Sequence, residues 1–545
     1  MPRSIRLFAF GISASLIVGA LVFGSKLTDA RWLAVLGLAW ILFMVSLWVP
    51  IPVVVPTERR TVIRTAATLA AGFVALSVQL LRLQVVKGED NANRVGISPE
   101  GEPISNVRRV NLGLDIRRGR ILATSGEVLA GTEEIDEGWG RTYPQPAAAS
   151  LLGYYSPLQY GISGLEQAFD AELTGKETDN PFLELRDDLL HRARQGSDVV
   201  LTIDLGLQQV AVDALGDRPG AAVLLEVETG RVLAMVSNPS ADPARIFAAN
   251  NEQTDVTAEY WDALLEGDAR PLVSRSTQGL YTPGSIFKVV TASAAVDLGH
   301  ANPQTMYLDD GVLNLPGRQI IENNRPDETI STWSLEDSLA WSLNVVYAQV
   351  GLEVGAPEMR DYAEAFGFGA DIPFPTEVAR SQLEGQDGFL NSPPALAETS
   401  FGQGQLLVTP LHMALIAAGI ANGGRLMRPQ ILDRVVAPDG KVVREGETGE
   451  WRTATRPETA ATVADMMRHA VEIGVATGAY VDGLSVGGKT GTAEVADKDP
   501  HAWFMGFAGT FEDPSPRHAI AVVLENGGSG SIDIARQIMV AAGER

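Results

Sequence analysis

Three short groups of residues in the second half of the chain combine types and spacings that can do chemistry. The first is Pro283-Gly284-Ser285-Ile286-Phe287-Lys288. Proline and glycine ahead of an apolar run mark a helix start. Ile286–Leu298 continues as a helical pattern, with Gly299 as its stop. Ser285 and Lys288 are three residues apart and so share a helix face. A serine hydroxyl is a poor nucleophile until a neighbouring base takes its proton. A lysine amine can be that base when burial or a nearby cation lowers its pKa. The helix N-terminus adds N–H groups suited to a developing oxyanion. A capping serine and a surface lysine on an ordinary helix give the same spacing. Only seven of the 43 basic residues are lysine, however, so a lysine kept here stands out.

The second group is Ser342-Leu343-Asn344, after a helix that opens on the capping-box-like Ser334-Leu-Glu-Asp337. From a tight turn, its hydroxyl could relay a proton and its amide could hold a substrate carbonyl, although a turn or cap accounts for such a pair more often. The third is Gly487-Gly488-Lys489-Thr490-Gly491-Thr492-Ala493-Glu494. Small and hydroxyl residues in alternation suit a strand that a ligand backbone can approach closely. Lys489, Thr490 and Thr492 offer a cation and two hydroxyls, a match for a carboxylate. The same stretch fits two competing patterns. Gly483 to Thr490 reads as a P-loop, and Gly483-Leu-Ser485-Val-Gly487 as a nucleophile elbow. Both require a helix to follow. Gly491 and Asp497-Lys-Asp-Pro500 make a strand the expected outcome.

The elements that position these groups form an α+β pattern. Strand-like runs stand at Val199–Ile203, Ala221–Val227, Arg231–Val236, Lys489–Val495, Ala502–Gly509 and His518–Leu524. Helical patterns lie between them, with Leu205–Leu215 near one end and Ile532–Ala542 closing the chain. This catalytic part is expected over 198–545. Residues 88–197 read as short strands and turns, including a hairpin around Ser125-Gly126.

With 545 residues the chain should hold about three or four units. Its net charge of −24 argues against nucleic acid as a partner. It has no cysteine, which excludes disulfide frameworks and thiol catalysis. The six histidines are scattered and none forms H-E-x-x-H. Residues 1–87 carry three apolar stretches, at 7–23, 32–55 and 65–81, each near the length that spans a bilayer. Arg3 and Arg6, then Arg59, Arg60 and Arg64, favour the cytoplasmic side, which places everything after about residue 87 outside. Lys26 and Arg31 weaken that bias.

The order Ser285-x-x-Lys288, Ser342-x-Asn344, Lys489-Thr490-Gly491 resembles the active-site triplet of penicillin-binding proteins and serine β-lactamases. Gly196–Leu215, Gly230–Pro239, Tyr281–Gly299, Phe401–Gly424 and Lys489–Asn526 are similar to class B penicillin-binding proteins. Arg141-Thr-Tyr-Pro144 and Gly153–Gly175 resemble the segment before the catalytic domain in the penicillin-binding protein A subgroup. Two features depart from the family: many relatives have cysteine where Leu343 stands, and most have a single membrane anchor.

The resemblance implies an antiparallel sheet flanked by helices, on a pedestal or dimerisation-like domain over 88–197, and a serine D,D-transpeptidase of peptidoglycan. It implies that Ser285 attacks the D-Ala–D-Ala bond of a stem peptide and that Lys288 takes the serine proton. Ser342 would pass a proton to the departing D-alanine, and Asn344 would orient the substrate. Lys489, Thr490 and Thr492 would bind the carboxylate, beside Gly491. The N–H groups of Ser285 and Thr492 would form the oxyanion hole. No metal or cofactor is implied. β-Lactams would acylate Ser285, and a membrane glycan polymerase would be the partner, since about 110 residues between anchor and catalytic domain are too few for a polymerising domain. A D,D-carboxypeptidase uses the same triplet. A β-lactamase needs a deacylating device, and the only approach to E-x-x-L-N is Asp310-Gly-Val-Leu-Asn314, ahead of Ser342. An inactive scaffold and a P-loop NTPase are the remaining alternatives.

Overall fold

The computed structural model describes residues 2–22, 28–48, 50–52, 54–87, 96–97, 103–104, 116–136, 138–175, 195–248, 254–495 and 498–545. Much of 88–115 and 176–194, within the expected pedestal segment, lies outside the described residues. The chain forms two compact units, Met1–Gly113 with Asn180–Arg192, and Leu114–Asp179 with Ala193–Arg545.

In the first unit, α1 (Arg3–Val22), α2 (Asp29–Leu47) and α3 (Thr57–Leu81) are each long and apolar enough to cross a membrane. Their bounds differ from the hydropathy reading. α2 ends at Leu47, not 55, because Pro50 follows closely and has no N–H to continue the helical ladder. α3 begins at Thr57, not 65. Its first turns carry Glu58, Arg59, Arg60 and Arg64, which are good helix residues that an apolar window leaves out. Polar contacts tie the helices. Ser13 Oγ donates to the Ala39 carbonyl at 2.8 Å, Trp32 Nε1 to Gln79 Oε1 at 2.6 Å, and Arg82 pairs with Asp29 at 2.6 Å.

In the second unit the elements run β1 (Ile121–Leu122), β2 (Val128–Ile135), β3 (Gly138–Thr142), β4 (Asp198–Leu201), α4 (Leu205–Leu215), β5 (Gly220–Glu226), β6 (Val232–Asn238). Next come α5 (Lys288–Asp297), α6 (Leu335–Ala340), α7 (Asn344–Val354), α8 (Pro410–Ala421), β7 (Leu432–Val436) and β8 (Val442–Glu445). The chain closes with α9 (Pro457–Ile473), β9 (Val486–Val495), β10 (Lys498–Ala508), β11 (His518–Leu524) and α10 (Ser531–Gly543).

The catalytic sheet has the order β6-β5-β11-β10-β9 and is antiparallel throughout. β11 lies at its centre, and Ala519 to Leu524 are all fully buried. Alternate residues serve opposite faces, as strand geometry requires. Ala519, Ala521 and Val523 join the core built with α8, and Ile520, Val522 and Leu524 join the core built with α4 and α10. A strand covered on both faces reads as an unbroken apolar run, which is what this segment is.

A second sheet, β8-β7-β4-β1-β2-β3, draws strands from three distant parts of the chain. Only the β1–β4 pair is parallel. Beside it sits a buried charge cluster. Glu166 accepts from Arg118 Nε at 2.9 Å, from Arg141 Nε at 2.5 Å and from the Tyr143 hydroxyl at 3.2 Å. Burial pushes the Glu166 carboxyl up, but the Arg141 and Arg118 charges outweigh it and hold it below its usual range. Removing one partner of such a cluster strands an uncompensated charge.

Candidate active site

Ser285 sits in a 3₁₀ turn, Gly284–Phe287, that feeds directly into α5 at Lys288. The sequence reading placed both residues on one α-helix; the turn is tighter, with three residues per turn, which stacks Ser285 over Lys288. Gly284 starts the turn at φ +58°, and a Cβ there would lie 2.5 Å from the Thr492 carbonyl oxygen. Only glycine lets the turn pack this closely on β9. Gly402, at φ +93°, is just as tightly placed: its Cβ would lie 1.7 Å from the Gly284 carbonyl oxygen. The Gly284 N–H donates to the Gly402 carbonyl at 2.9 Å, and Trp503 Nε1 donates to the Thr282 carbonyl at 3.0 Å. Strand β10 and the segment around Gly402 therefore pin the serine turn from two sides.

Ser342 and Asn344 lie between α6 and α7. Ser334 caps α6 as expected, its hydroxyl accepting from the Asp337 N–H. Ser342 adopts φ +63°, a left-handed conformation that costs a non-glycine residue about 1–2 kcal/mol. Its carbonyl accepts from Lys288 Nζ at 2.5 Å and from Asn324 Nδ2 at 3.1 Å. Strain of this kind persists where surrounding contacts over-determine it, and it clusters at active sites.

The two lysines meet at the Ser342 hydroxyl. Lys288 Nζ lies 3.3 Å from Ser342 Oγ and 2.9 Å from Asn344 Oδ1. Lys489 Nζ lies 2.8 Å from the same Ser342 Oγ and 3.0 Å from the Thr490 carbonyl. Both lysines are fully buried and Ser342 nearly so. Burial pushes the Lys288 amine down to about 7, with Glu322 pulling the other way. Burial, then the neighbouring Lys288 charge, holds Lys489 well below the ordinary lysine range. The Tyr347 ring lies 5.5 Å from Lys288 Nζ. Ser285, Asn344 and Thr490 are half-buried and Thr492 is exposed, so the site opens to solvent at these residues. No hydrogen bond joins Ser285 to Lys288 here; such contacts often tighten only when substrate is bound.

Lys489, Thr490, Gly491 and Thr492 lie on β9, paired with β10 in the register Lys489↔Met505 through Thr492↔Ala502. β9 is an edge strand of this sheet, so one row of its backbone N–H and C=O groups is outside the ladder. A Cβ at Gly491 would lie 2.6 Å from the Pro283 carbonyl oxygen, so that position too is set by the serine turn. A strand from Val486 onward overturns the P-loop alternative, and the nucleophile elbow with it, because neither motif has its helix. The structure thus brings together all three groups singled out in the sequence. Glu322, Asn324 and Gly402 were missed. Glu322 and Asn324 sit in no recognisable motif, and their proximity to Ser342 follows only from the tertiary fold. Gly402 is one of many loop glycines, and only its positive φ distinguishes it.

The description "Penicillin binding protein transpeptidase domain" matches residues 220–542. The chain belongs to the penicillin-binding protein transpeptidase family. Residues 118–199 match "Penicillin binding protein A dimerisation domain". The chain is similar to the peptidoglycan D,D-transpeptidase PbpA of Mycolicibacterium smegmatis, 36% identical over 428 residues, which cover 76% of this chain and 84% of that one. It also resembles solved structures of penicillin-binding protein A from M. tuberculosis. The imipenem acyl-enzyme complex matches with a TM-score of 0.71 at 34% identity, covering 78% of this chain and 98% of that chain. The penicillin G acyl-enzyme complex matches with a TM-score of 0.70 at 33% identity, covering 78% and 99%. The penicillin-binding fold expected from the motif order, with mixed helices and an antiparallel sheet, is therefore the fold of this chain.

Proposed function

We propose that this penicillin-binding protein is a peptidoglycan D,D-transpeptidase that works through a Ser285 acyl-enzyme and is a target of β-lactams. The observation that carries the residue roles is the single hydroxyl of Ser342 bridging two buried lysines, one of which opens the helix that follows the Ser285 turn. A neutral Lys288 amine has two N–H groups, which the Ser342 carbonyl and Asn344 Oδ1 accept, and a lone pair left to take the Ser285 proton. The Ser285 oxygen then adds to the penultimate D-alanine carbonyl. The N–H groups of Ser285 and Thr492 stabilise the oxyanion. As the C–N bond breaks, Ser342 gives its proton to the leaving amine and regains one from the lysine pair. Asn344 shares its oxygen with Lys288, which leaves its NH₂ to orient the substrate amide. Lys489, Thr490 and Thr492 hold the terminal carboxylate, and that negative charge favours the protonated form of Lys489. Edge strand β9, with Gly491, takes the substrate backbone alongside.

An amine from a neighbouring stem peptide attacks the acyl-enzyme, forms the cross-link and frees Ser285. The substrate lies outside the cytoplasm, so three membrane crossings put the catalytic unit on the extracytoplasmic side. Glycan polymerisation is left to a membrane partner. Incubating the full chain in detergent with a stem pentapeptide and an acceptor amine tests this reading. Released D-alanine matched by amide-linked product supports transpeptidation. Released D-alanine matched only by hydrolysed peptide would make the protein a D,D-carboxypeptidase instead.

A further inference from the structure

The contacts around the Ser342 turn point to two residues outside the triplet. Ser342 must be held at φ +63° for its hydroxyl to reach both lysines. Its carbonyl has two lone pairs. Lys288 takes one and Asn324 Nδ2 the other. Asn324 is itself placed by Glu322. Glu322 Oε1 accepts from the backbone N–H groups of Asn323 at 3.0 Å and Asn324 at 2.9 Å. Its other oxygen accepts from the Val345 N–H at 2.9 Å, in the first turn of α7. A carboxylate at a helix N-terminus is well placed, since free N–H groups point at it. One buried carboxylate thus clasps the 322–324 loop to the helix start that carries Asn344. Glu322 forms no ion pair among the described residues, and its charge acts on the nearby Lys288.

We propose that Glu322 and Asn324 are positioning residues, which fix the strained Ser342 turn and thereby hold Lys288, Ser342 and Asn344 in register for acylation of Ser285. The proposal rests on the roles given above to Ser285 and Lys288. Their hydrogen bonds go to backbone groups of Asn323, Asn324, Ser342 and Val345. Glu322 acts by its shape on the turn and by its charge on the base. The other groups facing Lys288 are Lys489 from β9 and Tyr347 from α7, and neither supplies a negative charge at neutral pH.

The test is the rate of Ser285 acylation by a fluorescent penicillin in the full chain, followed from pH 5 to 9. Glu322→Gln keeps the side-chain size but removes the charge and sets an NH₂ against a backbone donor. Its maximal rate should fall about tenfold or more, the scale of a lost charge-assisted hydrogen bond. Its acidic limb should also move to lower pH, because the charge that favoured protonated Lys288 is gone. Glu322→Asp keeps the charge and should leave the limb in place. Asn324→Ala, at an exposed side chain with little effect on folding, should lower the maximal rate and leave the limb unmoved. A wild-type rate in Asn324→Ala or Glu322→Gln would overturn the proposal. So would a slower Glu322→Gln with an unshifted limb, which is what simple loosening of a loop gives. If the wild-type chain itself gains no adduct at Ser285, the roles of Ser285 and Lys288 fall, and this proposal falls with them.

Discussion

Lowering the pH should switch off acylation by protonating Lys288. Burial holds this amine at about 7, against 10.5 for an ordinary lysine. At pH 8 about 90% of Lys288 is neutral and able to take the Ser285 proton, and at pH 5.5 only about 3%. The second-order rate of acylation should therefore fall about thirtyfold between those values, with a limiting slope of about one decade per pH unit. An unburied lysine would be only about 0.03% neutral at pH 7, which is why the burial matters. The assay is the time course of adduct formation with a penicillin that has no group titrating between pH 5 and 9. Lys288→Arg should abolish the limb and cost about 10²–10⁴ in rate, since guanidinium cannot give up its proton. A flat profile from pH 8 to 5.5 would refute the assignment of Lys288 as base. A limb centred above pH 9 would refute the burial argument.

The same shift has a stability counterpart. Lys288 is protonated up to about 10.5 when unfolded but only to about 7 when folded, so folding releases a proton between those values. The cost is complete below pH 7 and fades as the pH rises. Relative to Lys288→Met, the wild type should gain about 2–3 kcal/mol from pH 6 to pH 9, read from thermal unfolding of the two chains. No change in their difference would contradict it. Gly402→Ala should displace the serine turn, since its Cβ would lie 1.7 Å from the Gly284 carbonyl oxygen. Acylation should drop about 100-fold, as misplacements near 1 Å can do. Glu166→Ala strands buried Arg141 and leaves Arg118 with Asp170 alone, and should cost about 3–5 kcal/mol of stability, seen as a lowered Tm.

Local signals explain what the sequence made legible. Helix Leu205–Leu215 and strand His518–Leu524 match their expected bounds, because each is an apolar pattern between polar or glycine punctuation. The hairpin of β5 and β6 follows from Glu228-Thr229-Gly230, with Gly230 at φ +76°. Long-range pairing was not legible. β11 inserts between β5 and β10, and nothing local marks a partner so distant in sequence. The second sheet joins 121–142 to 198–201 and 432–445, and its strands carry no mark of that pairing. The triplet was legible because its chemistry demands particular side chains. Asn324 and Glu322 act through a carboxamide and a carboxylate on backbone groups, and such contacts leave no pattern in sequence. In the membrane region, hydropathy located three helices but not their ends, which proline and polar helix formers set instead.

The central claim is that Ser285 is the nucleophile. Intact-mass analysis of the full chain after incubation with penicillin, beside Ser285→Ala, tests it most directly. The account predicts one added penicillin mass on the wild type, stable for many minutes, and none on the variant. An adduct that persists in Ser285→Ala, or a folded wild-type chain that gains no mass, would contradict it.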